Sequence, residues 1–397
     1  MARLAWPIAD EKIRLDAVVT DGRLVPNRVV SARNRGIAAA LAGRPVGEVP
    51  ALLRRLFPLC GIAHTIAAVT AIETAFGLVP SRAQRAFREL MLVTEHANSV
   101  AWRLLMDWPP LLGGAGDTRT YAAFLRASAP ITAGADRLQQ IGGAALRLPR
   151  AETARAARSL AAMLTALFPE GADPTLSFDG LEVALRSGES VPARLLARAR
   201  ADLPAHYGRH DWPLFAAAHA DWFAHRLGDT PGFSDAPNLD GSPAEVGPLA
   251  ALRHPLAGEA LAHWGSGLAT RLLAAALDAS VVAARLRACD RLLDDDASDV
   301  DTTGDGRGAG VVETARGPLA YWLEVEGGRV RTLRSVAPTE WNFHPAGPFR
   351  AALDSAPAIA DPVAGARLLA ASFDPCVPFD IAIAPSQGAS NEDALHA

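Results

Sequence analysis

Leu59-Cys60-Gly61-Ile62-Ala63-His64, continuing through Ala67-Ala68-Val69-Thr70-Ala71-Ile72-Glu73, is the stretch on which the reading of this chain turns. Pro58 breaks the preceding segment. A helix is predicted to begin near Leu59 or Cys60 and to run to about Phe76, with Ile62, Ile66, Val69, Ile72 and Phe76 on its apolar face. Cys60 and His64 stand four apart at its start, so they share one side of the helix. A thiol at a helix N-terminus feels the positive end of the backbone dipole, which favours the thiolate. The same pair also fits a buried cysteine beside a satisfied core histidine, and spacing alone favours that plainer reading.

Upstream, Ile13 to Val30 alternates apolar and polar residues around Asp21-Gly22, a turn pair, so residues 1–33 are read as a β-hairpin region. Short helices are expected over Arg35 to Leu41 and Pro50 to Phe57. Downstream, Ser81 is placed to cap a long helix running towards Met106. Thr120 to Leu227 and Leu249 to Leu293 carry mostly helical patterns. Asp294 to Gly310, acidic and then glycine-rich, reads as a loop. Two strands, Ala320 to Val325 and Val330 to Val336, flank a Gly327-Gly328 turn. A last helix covers Pro362 to Ser372, and 383–397 is expected to be a flexible tail. With no internal repeat and no sharp linker, 1–397 is read as one mainly α (α+β) domain with small peripheral β-sheets.

The chain has 397 residues, 50% of them apolar, which is ample for a large core. A net charge of −4 leaves no basic footprint for nucleic acid or a membrane surface. Lys12 is the only lysine, a bias that carries no functional reading. The apolar runs are too short for membrane insertion. The first residues show neither a full signal core nor an arginine pair, so a cytoplasmic location is expected. Three cysteines in so long a chain do not make a disulfide framework.

Cys60 and His64 acquire meaning from the company of four downstream segments. The stretch from Leu59 to Glu73 resembles the first cysteine motif of nickel–iron hydrogenase large subunits, in which a C-x-x-C pair precedes a histidine and an A-x-V-x-A-V-E helix. Glu245-Val246-Gly247-Pro248-Leu249-Ala250 resembles that family's E-V-G-P-L-A segment. Glu313-Thr314-Ala315-Arg316-Gly317 resembles its E-x-P-R-G segment, and Ala337-Pro338-Thr339-Glu340-Trp341-Asn342 its P-x-x-W-N segment. Ser372-Phe373-Asp374-Pro375-Cys376 resembles its closing D-P-C-x-x-C motif. Five weak matches in the family's order, spread over most of the chain, make a strong one together. The implied fold is the large subunit's helical core.

The departures are as informative. In the register set by His64 the first pair would place cysteines at 57 and 60, and position 57 is Phe57. The second pair would place them at 376 and 379, and position 379 is Phe379; a further histidine position is Ala382. The resemblance implies nickel held by four thiolates, two of which bridge to iron. Two thiolates do not build that cage, so no nickel is expected. An iron that already carries two cyanides and one carbon monoxide asks for few protein donors. The pattern is similar to the HupK/HoxV hydrogenase maturation proteins, which implies a non-catalytic scaffold for Fe(CN)2(CO), with Cys60 and Cys376 as its metal thiolates. The implied partners are maturation proteins that deliver the iron fragment and the hydrogenase large-subunit precursor.

Cys60 matches a bridging position and Cys376 a terminal one. A gapped register, with Cys60-Gly61-Ile62-Ala63 as a degenerate pair, makes both terminal. Arg316 matches the arginine over the metal site, and His64 and Asp107 are further candidates around the fragment; a structural ion pair explains Arg316 or Asp107 equally well. His96 reads as a helix-packing or site histidine, and Cys289 as helix packing. Asp299 to Gly310 lacks the closing glutamate of a calcium loop, and Gly304-Asp305-Gly306-Arg307-Gly308 does not open a helix after a strand. Two other readings remain: a metal-free structural relative, like the large-subunit homologue of respiratory complex I, and a redox-active metalloenzyme using the same pocket.

Overall fold

A computed structural model describes residues 12–31, 36–142, 150–173, 175–216, 219–288 and 304–384. Cys289, most of the acidic segment after it and the tail from 385 onward lie outside the described residues.

The hairpin forms as expected. β1 (Ile13–Thr20) and β2 (Arg23–Ser31) pair antiparallel, and Asp21 and Gly22 both take positive φ, 51° and 72°, as a tight turn of this hand requires. After α1 (Ile37–Leu41), α2 (Val49–Leu56) starts with Pro50 in its first turn. α3 (Gly61–Phe76) comes next, with Cys60 as its N-cap, and is buried on nearly every side. α4 (Arg82–Trp102) opens with a capping box: Ser81 accepts from Gln84 N, and the Gln84 side chain accepts from Ser81 N. Its last turn widens into a π turn, Arg103–Asp107, which leads into α5 (Trp108–Leu111).

The helical middle contains α6 (Thr118–Thr132), α7 (Arg150–Leu167), α8 (Phe178–Ser187), α9 (Val191–Asp202) and α10 (Ala220–Asp229). It continues through α11 (Pro248–Ala251) and α12 (Pro255–Trp264) to α13 (Leu268–Ala288). α13 is the central post, packed against α4, α7, α9 and α12. One apolar core runs from Ile13 to Phe373, and a smaller aromatic cluster gathers Phe215, Phe223, Phe233 and Trp341.

The glycine-rich stretch read as a loop is in part a strand. β3 (Arg307–Thr314) pairs antiparallel with β4 (Gly317–Glu326), which pairs with β5 (Arg329–Val336). Glycine weakens a strand, yet here it is required. A Cβ on Gly310 would collide with the Ala67 carbonyl and sit 2.6 Å from Ala71 N, so β3 lies directly on the backbone of α3. Close approach of two backbones leaves no periodic side-chain signal, so the residue pattern is silent there. α14 (Pro338–Asn342), α15 (Pro348–Asp354) and α16 (Pro362–Ser372) complete the helices. A further strand, β6 (Phe379–Ile383), enters the first sheet parallel to β1, opposite Ile13 to Ala17, so residue 383 belongs to the sheet rather than to a tail. Among the described residues no helix is long and apolar enough to cross a membrane.

Candidate metal centre

Cys60, His64, Arg316 and Cys376 come together on one inner cavity of about 20 Å³, room for about one water. Cys60 caps α3; Gly61 comes after it because a Cβ there would stand 2.7 Å from Arg54 O at the end of α2. Cys376 arrives from the far end of the chain, after α16, and its Sγ lies 3.4 Å from Thr339 Oγ1. Arg316 occupies the turn between β3 and β4. Burial opposes its charge, while Asp374, Cys376, Cys60 and Asp107 each favour it. Among the described residues no three His, Cys, Asp or Glu side chains form a group able to hold a metal ion, so this cavity offers two thiols and not a full protein cage.

Asp374 locks this arrangement. It sits at φ 51° in Asp374-Pro375-Cys376, and its carboxyl takes Arg103 at 2.6 Å and Arg316 at 3.2 Å. The Asp374 carbonyl accepts from Arg316 Nε at 2.8 Å. Burial alone would raise the Asp374 pKa, but the two guanidinium groups hold it below the usual carboxylate range. Arg316 is therefore both an ion-pair residue and a cavity residue.

His64 is buried and hydrogen-bonded through Nδ1 to Tyr321 Oη at 2.7 Å, with Phe57 stacked on its ring. Phe379 points into another aromatic group, with Phe349 and Phe343 at 5.4 Å and 6.3 Å between centroids. Asp107 does not reach the inner cavity. It is exposed in a neighbouring cleft with Arg103 and Asp374. Its pKa is pushed up to about 6, first by desolvation and then by Asp374, against the pull of Arg316.

Glu95 takes a place that the sequence does not assign it, and His96, read as a packing or site histidine, is found on the cavity wall. Glu95, on α4, accepts from Ile62 N at 2.7 Å and Ala63 N at 3.0 Å. Its carboxyl therefore takes two of the free N–H groups in the first turn of α3, the same helix end whose dipole acts on the Cys60 thiol. Burial pushes Glu95 up to about 7 despite those hydrogen bonds and the charges of Arg316 and Arg54. His96 also lines the cavity; its Nε2 lies 2.6 Å from Asp278, and its Nδ1 is buried with no partner among the described residues. A glutamate in the body of a long helix is most often a solvated residue, so no signal marks Glu95. The His96 spacing alone matches core packing.

The other matched segments act as struts. Glu245 is buried between Arg271, at 2.8 Å, and His210, at 2.6 Å. Asn342 holds both Val246 N and Val246 O at 3.0 Å, tying that segment to the Ala337–Thr339 wall.

Known proteins share both this fold and much of this sequence. Residues 266–381 match the nickel-dependent hydrogenase family model, a span that includes Arg316, Thr339 and Cys376. Over 379 residues the chain is 34% identical to the hydrogenase expression/formation protein HupK of Rhizobium leguminosarum bv. viciae, covering 93% of this chain and 95% of that protein. The chain belongs to the HupK/HoxV family. Hydrogenase expression/formation protein HoxV of Cupriavidus necator is 27% identical over 90% of this chain and 92% of its own length. The fold is that of the hydrogenase large subunit: the Ni-Fe-Se hydrogenase of D. vulgaris Hildenborough superposes with a TM-score of 0.61 at 17% identity, covering 90% of this chain and 94% of that one. HupK/HoxV membership rests on nearly the whole chain, whereas the family-model span leaves out Cys60 and His64.

Proposed function

We propose that this chain serves hydrogenase formation as a non-catalytic scaffold, holding or passing on an Fe(CN)2(CO) fragment through Cys60 and Cys376. One observation carries the reading. The two cysteines and Arg316 share a cavity, while Phe57 and Phe379, at the positions of the missing thiols, are spent on packing. A bare metal ion asks for three or four protein donors. An iron that brings three ligands of its own suits two thiolates, with a buried guanidinium nearby to donate to cyanide nitrogen. The names of the relatives support the same direction: HupK and HoxV are described as hydrogenase expression/formation proteins. The partners of this reading are maturation proteins that deliver the fragment and the large-subunit precursor that receives it, and the compartment is the cytoplasm.

The test is infrared spectroscopy on protein purified without oxygen from cells that express the maturation machinery. Cyanide and carbon monoxide bands, absent from Cys60→Ala and Cys376→Ala, are the expected result. Protein without bands or iron would favour a metal-free structural relative. Hydrogen-dependent dye reduction by the purified chain would overturn the non-catalytic reading.

A further inference from the structure

The inner cavity is too small for its proposed cargo. About 20 Å³ admits one water, and an iron with three diatomic ligands is several times larger. A fragment seated at Cys60 would reach into adjoining space or push the cavity wall aside. A second cleft, of about 390 Å³, shares Glu95, Ser99 and Arg316 with the inner cavity as a common wall. Its floor is the Phe57 to Ile62 segment on either side of Cys60, and Trp102 and Tyr121, edge to face at 5.1 Å, form an opposite side.

The charge of this cleft has one sign. Arg54, Arg55 and Arg316 line it against a single carboxyl group, Glu95. Arg54 is half-buried and Arg55 exposed in the last turn of α2, and neither has a hydrogen bond or ion pair among the described residues. A helix C-terminus accounts for one basic residue near its end and Glu95 lies within the field of Arg54, but a single carboxyl does not balance three arginines lining one cleft. The side-chain oxygen of Asn98 is buried on the same wall without a partner, leaving an amide that can turn its N–H group towards a ligand.

We propose that this cleft is the port and first binding site for an anionic cyano-metal complex, held by Arg54, Arg55 and Arg316 before its metal reaches Cys60. The inference rests on the scaffold reading for its cargo and shares Arg316 with it, but its test turns on Arg54 and Arg55, which the scaffold reading does not use. Cyanide nitrogens accept hydrogen bonds, and guanidinium groups supply several donors in a fixed plane with a permanent charge. The aromatic wall lowers the local polarity and strengthens that attraction.

Hexacyanoferrate(II) is the probe. It is an anionic cyano-metal complex whose iron has no open position, so it reports on the cleft without ligation by thiols. Calorimetry on the full chain is expected to show one site whose affinity falls about tenfold or more between low and physiological salt. Arg54→Gln/Arg55→Gln is expected to weaken it by a similar factor with an unchanged melting temperature, and Arg186→Gln, at an exposed arginine outside the cleft, to leave it intact. Binding that ignores salt and the double substitution, or that pyrophosphate displaces at equal concentration, would overturn the port. Probe binding of the expected kind, in a protein that never shows cyanide bands from cells, would sink the scaffold reading and leave the port standing.

Discussion

Phe57 lies flat against His64, with ring centroids 3.5 Å apart and planes within 5° of parallel. In the register set by His64, Phe57 stands where the first cysteine of the related motif would be. It has become a wall that holds the histidine against Tyr321. Position 57 is thus filled by a side chain with a packing role of its own.

Phe57→Cys restores the spelling of the motif and removes a buried ring. The variant is expected to lose about 2–4 kcal/mol in urea unfolding, from lost burial and the cavity left behind. Hydrogen-dependent dye reduction should remain undetectable, because Phe379 still occupies the other missing position and is packed among Phe343 and Phe349. Activity in this single variant would disprove the assignment of both positions.

Gly310→Ala drives a methyl group into the Ala67 carbonyl where β3 crosses α3. The expected cost is about 2–3 kcal/mol, since neither backbone has room to move away. Gly47→Ala is the control: no atom lies within 4 Å of its Cβ position, and its effect should stay within about 0.5 kcal/mol. Chemical denaturation of both variants decides it, and equal stability losses would remove the case for close approach.

Glu95 gives the fold a pH dependence of predictable sign. Its pKa is about 7 in the folded chain against 4.5 as a free side chain. Below 4.5 both states are protonated and nothing changes. Between 4.5 and 7 the unfolded chain gives up the proton while the fold keeps it, so stability falls as pH rises and levels off above 7. Relative to Glu95→Gln, the natural chain should lose up to about 3 kcal/mol across that window. Parallel stability profiles for the two proteins would contradict the half-buried, protonated carboxyl.

Glu245 behaves in the opposite sense. Burial would raise its pKa, but Arg271 and His210 bring it to about 2, so its contribution is complete above 4.5 and is lost as pH falls from there towards 2. Arg271→Met leaves a buried carboxylate with a histidine alone. It should destabilise the chain by about 3–5 kcal/mol and move acid unfolding to higher pH. A variant that unfolds at the same acid midpoint as the natural chain would show that the pair contributes nothing.

Much of the fold is legible in the residues because its signals are local. The Asp21-Gly22 turn, the Ser81 cap, the Cys60 helix start and the Gly327-Gly328 turn each depend on a few neighbouring backbone groups, and residue type declares them. The order of five short segments is enough to point to the family. β3 and β6 escape such reading for the complementary reason. In β3 the glycines at 308 and 310, pressed on a helix, put no side chain into the pattern, and β6 is a short edge strand whose partner, β1, comes from the other end of the chain.

By itself the sequence showed two thiols, Cys60 and Cys376, inside the matched motifs and, in the ungapped register, phenylalanines at the other two positions. Only the tertiary structure decided that these thiols share one cavity with Arg316, that Asp107 stands outside it, and that Glu95 takes the α3 N-terminus beside Cys60. Helices and turns arise from contacts a few residues long. Which buried charge meets which, as Asp374 meets both Arg103 and Arg316, is set by the packing of distant elements, where desolvation makes each ion accept whatever partner the fold brings within reach.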